Sequence, residues 1–230
     1  MRIITPTTIE HIAWEGALEP IAGTFAGTDT PPRVAIGELV WWTAGQAMAN
    51  ETGKAWTPPA DDRMYLLVRL ACNLYPPSGA RAQYTEAALT VHLQSRQGNG
   101  KAVAHDLFPQ RLTVDQAGKF TVALTPELKF AEAFEAKVLE VGAEIEYHKA
   151  FPVIQGYGLG AANAEWRFTH HSAHPLLGCQ SVYILVASPR EAGGVRLNIE
   201  LTATVESRFG PIRLKLPQTA SAYVSRLLEY

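Results

Sequence analysis

GVRLNIELTATVE, residues 194–206, decides the fold class. Val195, Leu197, Ile199, Leu201, Ala203 and Val205 alternate with Arg196, Asn198, Glu200, Thr202, Thr204 and Glu206. A strict period of two over this length is a β-strand with one face in a core and the other in water. Working outward, QSVYILVASP (180–189) reads as a strand with Val182, Ile184 and Val186 on one face. Downstream, RFGPIRLKLP (208–217) sets Ile212, Leu214 and Leu216 against Arg213 and Lys215.

The same grammar recurs earlier in the chain. MYLLVRLACNLY (64–75) is almost unbroken in its apolarity, which predicts a strand buried on both faces. In YTEAALTVHLQ (84–94), Thr85, Ala87, Leu89, Val91 and Leu93 are expected on one side and Glu86, Thr90, His92 and Gln94 on the other. SRQGNGK (95–101) carries an Asn-Gly pair, a hairpin signal. KFTVALTP (119–126) alternates again, and FPVIQGYGLGAANAEWRF (151–168) reads as strand, glycine turn, strand. The two stretches 64–94 and 181–206 share an order: an aromatic-aliphatic strand, a Pro/Gly-rich connection and a long alternating strand. This order fits a duplicated hairpin, one in each sheet of a sandwich, but any two β-hairpins share it, and unrelated hairpins are the favoured reading.

Helical spacing is weaker. Ile36, Leu39, Val40, Thr43 and Ala47 fit one helical face, with Gly53 as a stop, and helix is the reading taken, although VAIGELVWW (34–42) equally fits a strand with a bulge at Gly37. Thr125, Pro126 and Glu127 fit a helix start, followed by Phe130, Phe134, Val138, Val141 and Ile145 near a 3.6 period, then a strand ending near Lys149. TASAYVSRLLEY (219–230) fits a short C-terminal helix. The fold class expected is therefore mainly β: an antiparallel β-sandwich, immunoglobulin-like or related, with one or two short helices. That analogy concerns architecture and carries no function. The Cys-Trp-Cys spacing of antibody-type domains is not evident, because Trp166 lies near the second cysteine rather than midway. Residues 1–60 read as an N-terminal extension, partly loop, packed on a sandwich of residues 61–230, one domain overall.

Composition excludes some classes. The chain has 230 residues, 47% of them hydrophobic and 18% charged, so it can bury a full core. A net charge of −2 argues against a dedicated nucleic-acid binder. The N-terminus lacks a signal-peptide core and no 18-residue apolar run occurs, so the expected setting is cytoplasmic with no membrane contact. The two cysteines, Cys72 and Cys179, lie in apolar runs and are expected to be small buried hydrophobes.

Candidate sites are few. His170, His171 and His174 have HHxxH spacing, with His148 upstream. Pro175 opposes the helix that would align them as metal ligands, and no HExxH glutamate is present, so no metal is expected. Gly156–Gly160 (GYGLG) precedes a strand rather than a helix, so it reads as a turn and no nucleotide cofactor is expected. No GxSxG elbow occurs, and Asp61-Asp62 reads as a solvated loop. Trp41 and Trp42 are adjacent, so their rings diverge whether the segment is helix or strand. They are the candidate binding residues. The leading expectation is a non-catalytic module that engages a protein partner, or a second copy of itself, through loops or an edge strand. One alternative is an enzyme with a dispersed site near His148, His170, His171 and His174; another is a small-ligand-binding β domain.

Overall fold

The structure is a computed structural model and describes residues 2–5, 11–21, 30–49, 53–78, 82–97, 100–114, 120–123, 129–130, 151–207 and 210–230. In chain order the strands are β1 (Arg2–Ile3), β2 (Ile12–Ala17), β3 (Glu19–Pro20), β4 (Arg33–Gly37), β5 (Val40–Thr43) and β6 (Met48–Ala49). They continue as β7 (Arg63–Leu74), β8 (Gln83–Ser95), β9 (Val103–Phe108), β10 (Arg111–Val114), β11 (Phe120–Ala123) and β12 (Lys129–Phe130). The last are β13 (Phe151–Tyr157), β14 (Asn163–Thr169), β15 (Gly178–Pro189), β16 (Gly194–Ser207), β17 (Gly210–Lys215) and β18 (Ser225–Glu229). Strand makes up 64% of the described residues and helix 7%, and the sheets do not close into a barrel, so the fold is mainly β and sandwich-like.

Two large sheets face each other. The nine-stranded one runs β11-β10-β13-β14-β8-β16-β17-β3, with β18 continuing the line of β17 along β16. The six-stranded one runs β2-β4-β7-β15-β9, with β5 continuing the line of β4 along β7. A small third sheet, β12-β1-β6, covers part of the second. The main core lies between the large sheets. Leu66, Val68, Leu70 and Cys72 from β7, with Val182, Ile184 and Val186 from β15, meet the inward residues of β8, β14 and β16. In β16, Val195, Leu197, Ile199, Leu201, Ala203 and Val205 are all buried, while Arg196 and Glu200 are exposed, in the register the alternation predicts.

The nearly continuous apolarity of β7 has a direct cause. Tyr65 and Leu67 point away from the main core into a second, smaller one, with Phe108, Leu185 and Ala187. Ile3, the four-residue helix α1 (Ala44–Ala47) and Met48 close it from outside. The six-stranded sheet is thus buried on both faces over its central strands.

Several expectations are corrected. The stretch 34–47 is mostly strand, with only Ala44–Ala47 helical. β7 offers a ladder to a segment rich in Val, Ile, Trp and Thr, and pairing outweighs the weak helical spacing. At the C-terminus, Gln218–Ala222 is a 3-10 turn and Ser225–Glu229 is a strand paired to β16 rather than a helix. Of the helix expected after Thr125, only Lys129–Phe130 is described, as strand β12 parallel to β1; the rest lies outside the described residues. The Asn-Gly stretch does not make a hairpin, since β8 and β9 belong to different sheets. Thr85 does not join the inward row of β8. A bulge opposite Thr204/Val205 turns Tyr84 into the core, and Thr85 Oγ donates to the Thr204 carbonyl at 3.3 Å.

The internal likeness also takes another form. β7 and β8 do not pair with each other, and neither do β15 and β16. Each unit gives one strand to each sheet. The copies then pair antiparallel, β7 with β15 over twelve residues and β8 with β16. Each antiparallel pair, β7 with β15 and β8 with β16, has its own local two-fold.

Candidate functional site

Trp41 and Trp42 lie on β5, whose register on β7 is Val40↔Arg69, Trp41↔Val68, Trp42↔Leu67 and Thr43↔Leu66. Successive strand residues point to opposite faces. Trp41 therefore packs on the main core and Trp42 on the second one, and each ring is half-buried at the rim of its cluster. Among the described residues β5 pairs with β7 alone, so its other edge carries no strand.

Beside Trp42 in the second core sits an aromatic group that sequence reading did not identify. Trp56 and Tyr65 meet edge to face at 5.1 Å between centroids, and His105 contacts both, at 5.1 Å from Tyr65 and 6.5 Å from Trp56. His105 is the extra residue of a bulge in β9, since Leu185 pairs with Asp106 and Val186 with Ala104. The bulge re-aims its ring. Burial pushes its pKa below the usual 6.5, with nearby Asp106 opposing and Arg63 reinforcing.

The remaining sequence candidates separate. His171 and His174 form an antiparallel bridge, with His174 N–H donating to the His171 carbonyl at 2.8 Å and the reverse bond at 3.2 Å. His170 N–H instead donates to the Thr85 carbonyl at 2.9 Å. Burial, then the neighbouring His171, lowers the His174 pKa. His148 lies outside the described residues. Among the described residues no group of three or more His, Cys, Asp or Glu is placed to hold a metal ion. The backbone carbonyl of Asp62 accepts from Arg190 N–H and that of Asp61 from Arg190 Nε, so this pair is an exposed turn anchor.

Cys72 is buried, but Cys179 is exposed, against expectation. Gln180 stands opposite Cys72, so Cys179, one step along β15, points to the other side of the sheet. Gly158 has φ +91°, and a Cβ there would lie 2.0 Å from the Asn163 carbonyl oxygen. The glycine loop is a turn whose geometry requires glycine.

A concavity of about 480 Å³ lies on the outer face of the nine-stranded sheet. Register builds it. One row across the sheet reads Thr169, Glu86, Thr204, Arg213, and the next Gln155, Arg167, Ala88, Thr202, Lys215. In the second row the central strands carry the small Ala88 and Thr202 between Arg167 and Lys215, and in the first the short Thr204 lies between Glu86 and Arg213. A trough results along β8 and β16. On its β14 wall, Arg167 hydrogen-bonds Glu165 and lies over the Tyr157 ring at 5.0 Å, while the Tyr157 hydroxyl donates to Gln155 Oε1 at 2.6 Å. The hydrogen bond and charge of Glu165 hold the Arg167 guanidinium even more firmly cationic than usual. Sequence alternation marked Glu86, Thr202, Thr204 and Arg213 as outward but could not show which strands would be neighbours.

No protein-family model matches the chain, and no curated protein matches it. Among solved structures it is similar to the delta-toxin of Clostridium perfringens at 8% identity and TM-score 0.38, over 99% of this chain and 90% of that one. It is similar to the Clostridium perfringens NetB toxin in the membrane inserted form at 8% identity and TM-score 0.35, over 94% of each chain. A pore forming protein gives 8% identity and TM-score 0.31, over 93% of this chain and 94% of that one. Likeness of this degree assigns no activity to the chain. No helix among the described residues is long and apolar enough to cross a membrane.

Proposed function

We propose that the chain is a non-catalytic β-sandwich module that holds a protein partner through the edge of β5. The observation that supports this reading is an edge strand whose two central residues are half-buried indoles, one at the rim of each core. An unpaired strand edge is a template for another strand, and indoles at the rim supply anchors beside it. Apolar surface flanks the strand at both ends. Ile12, 55% exposed, stands opposite Gly37 just before β5, and Ile4, 53% exposed, donates its N–H to Ala47 just after it.

The test separates edge pairing from core packing. Val40→Glu puts a charge on the edge opposite Arg69, where it gains a cross-strand partner. Capture from the native host, and self-association followed by light scattering, should both weaken about tenfold or more, with the melting temperature little changed. Association that survives both Val40→Glu and Trp42→Ala would refute the reading.

A further inference from the structure

We infer that the trough over β8 and β16 binds carbohydrate, specifically an uncharged oligosaccharide lying along the strands. The inference concerns the face of the nine-stranded sheet and is independent of the β5 edge on the other sheet.

Shape comes first. Ala88 and Thr202 sit side by side between Arg167 and Lys215 in one row, so the floor drops between two long side chains. The walls on β14 and β17 are three strand spacings apart, roughly 14 Å. The volume of about 480 Å³ falls in the range of small-molecule sites.

Charge comes second. The charged residues lining the cavity are Glu86, Glu165, Arg167 and Arg213, two of each sign. A phosphate or sulfate would meet two carboxylates there, and a cation would meet two guanidinium groups. The lining is neutral in sum and selects against both.

Hydrogen bonding decides the class. The Glu86 carboxylate and the Arg213 guanidinium face each other across Thr204, and neither has a hydrogen-bonded partner among the described residues. One offers only acceptors and the other only donors. A sugar hydroxyl is both donor and acceptor, so a vicinal pair can satisfy both groups at once. Thr202 and Thr204 add hydroxyls to the floor, and Thr169 a hydroxyl and Gln155 an amide to the β14 side. An apolar ligand would leave these groups desolvated and unpaired, which is unfavourable. Tyr157, 43% exposed at the rim with Arg167 over one face of its ring, has its other face for the C–H face of a sugar.

The probe is a printed glycan array carrying neutral, sialylated and sulfated oligosaccharides, followed by calorimetric titration with the strongest neutral ligand. The expected result is selective retention of neutral glycans. Affinity should fall about tenfold or more in Ala88→Phe, which fills the trough, and similarly in Glu86→Gln and Arg213→Gln, each of which removes one charge-assisted bond. Val40→Glu should bind as the unaltered chain does. If Ala88→Phe does not fold, the two glutamine variants at exposed positions carry the test. Retention of only sialylated or sulfated glycans, retention of none, or neutral-glycan affinity unchanged in both glutamine variants would overturn the inference.

Discussion

Ile199→Ala against Glu200→Ala tests the register on which every placement above depends. Ile199 is 4% exposed at the centre of β16, paired to Val91 on β8 and facing the six-stranded sheet. The substitution removes three carbons, worth roughly 2.4 kcal/mol in transfer terms at about 0.8 per methylene. The cavity left between two sheets adds to this at about 24 cal/mol per Å³, since paired strands collapse poorly. The expected total is about 3–4 kcal/mol. For a chain of this size that is a fall in melting temperature of about 6–16 °C. Glu200, one residue on, points into solvent, and its contact to His92 at 3.3 Å is exposed on both sides. Glu200→Ala should therefore cost less than about 1 kcal/mol. Denaturant unfolding followed by fluorescence, with buried Trp166 reporting on the same core, measures both variants. Equal costs for the two substitutions, or an Ile199→Ala loss under 1 kcal/mol, would refute the register.

Other consequences are as direct. Gly158→Ala forces a side chain into a left-handed conformation against the Asn163 carbonyl, so thermal unfolding should show a loss of about 2 kcal/mol or more. A thiol reagent should modify one cysteine of the native protein, identified by mass spectrometry as Cys179, and reach Cys72 only on unfolding. His105 and His174 both have folded pKa values below 6.5, so the unfolded chain binds more protons in the window below that pH and stability falls on acidification through it. The drop in melting temperature from pH 7.5 to 5.5 should shrink in the His105→Phe, His174→Gln double variant; an unchanged drop would remove these two residues from the account.

The register of β16 was legible because its neighbours bury one face and leave the other wet. β7 was legible for the opposite reason, since only Arg69 and Asn73 interrupt the apolar run that two cores share. What the residues could not convey was sheet membership. β7 and β8 look like two arms of a hairpin, yet each pairs elsewhere, β7 with β15 and β8 with β16, in opposite sheets. The Trp56, Tyr65 and His105 group was invisible for a related reason. Its members come from a loop and two strands joined only through β15, and a bulge sets the direction of His105. The helical spacing around Trp41 misled because propensity yields to an available ladder.

Hydrophobic period also decides what kind of site each sheet can carry. The central strands of the six-stranded sheet are apolar on both sides, so both faces are covered and its edges remain for contact; β5 is such an edge. The nine-stranded sheet alternates, so its outer face keeps a full complement of charges, amides and hydroxyls in water. Only there can rows of polar side chains from several strands line up over a ligand. Antiparallel pairing between the β7–β8 and β15–β16 units places equivalent strands side by side in both sheets. It puts β8 and β16 at the floor of the trough and β7 and β15 at the centre of the opposite layer. Ala88 and Thr202, directly paired across those two central strands, thus owe their juxtaposition to the same pairing that builds the core. A trough and a protected core are two sides of one ladder, and a substitution on the outward row can remove the first while leaving the second intact.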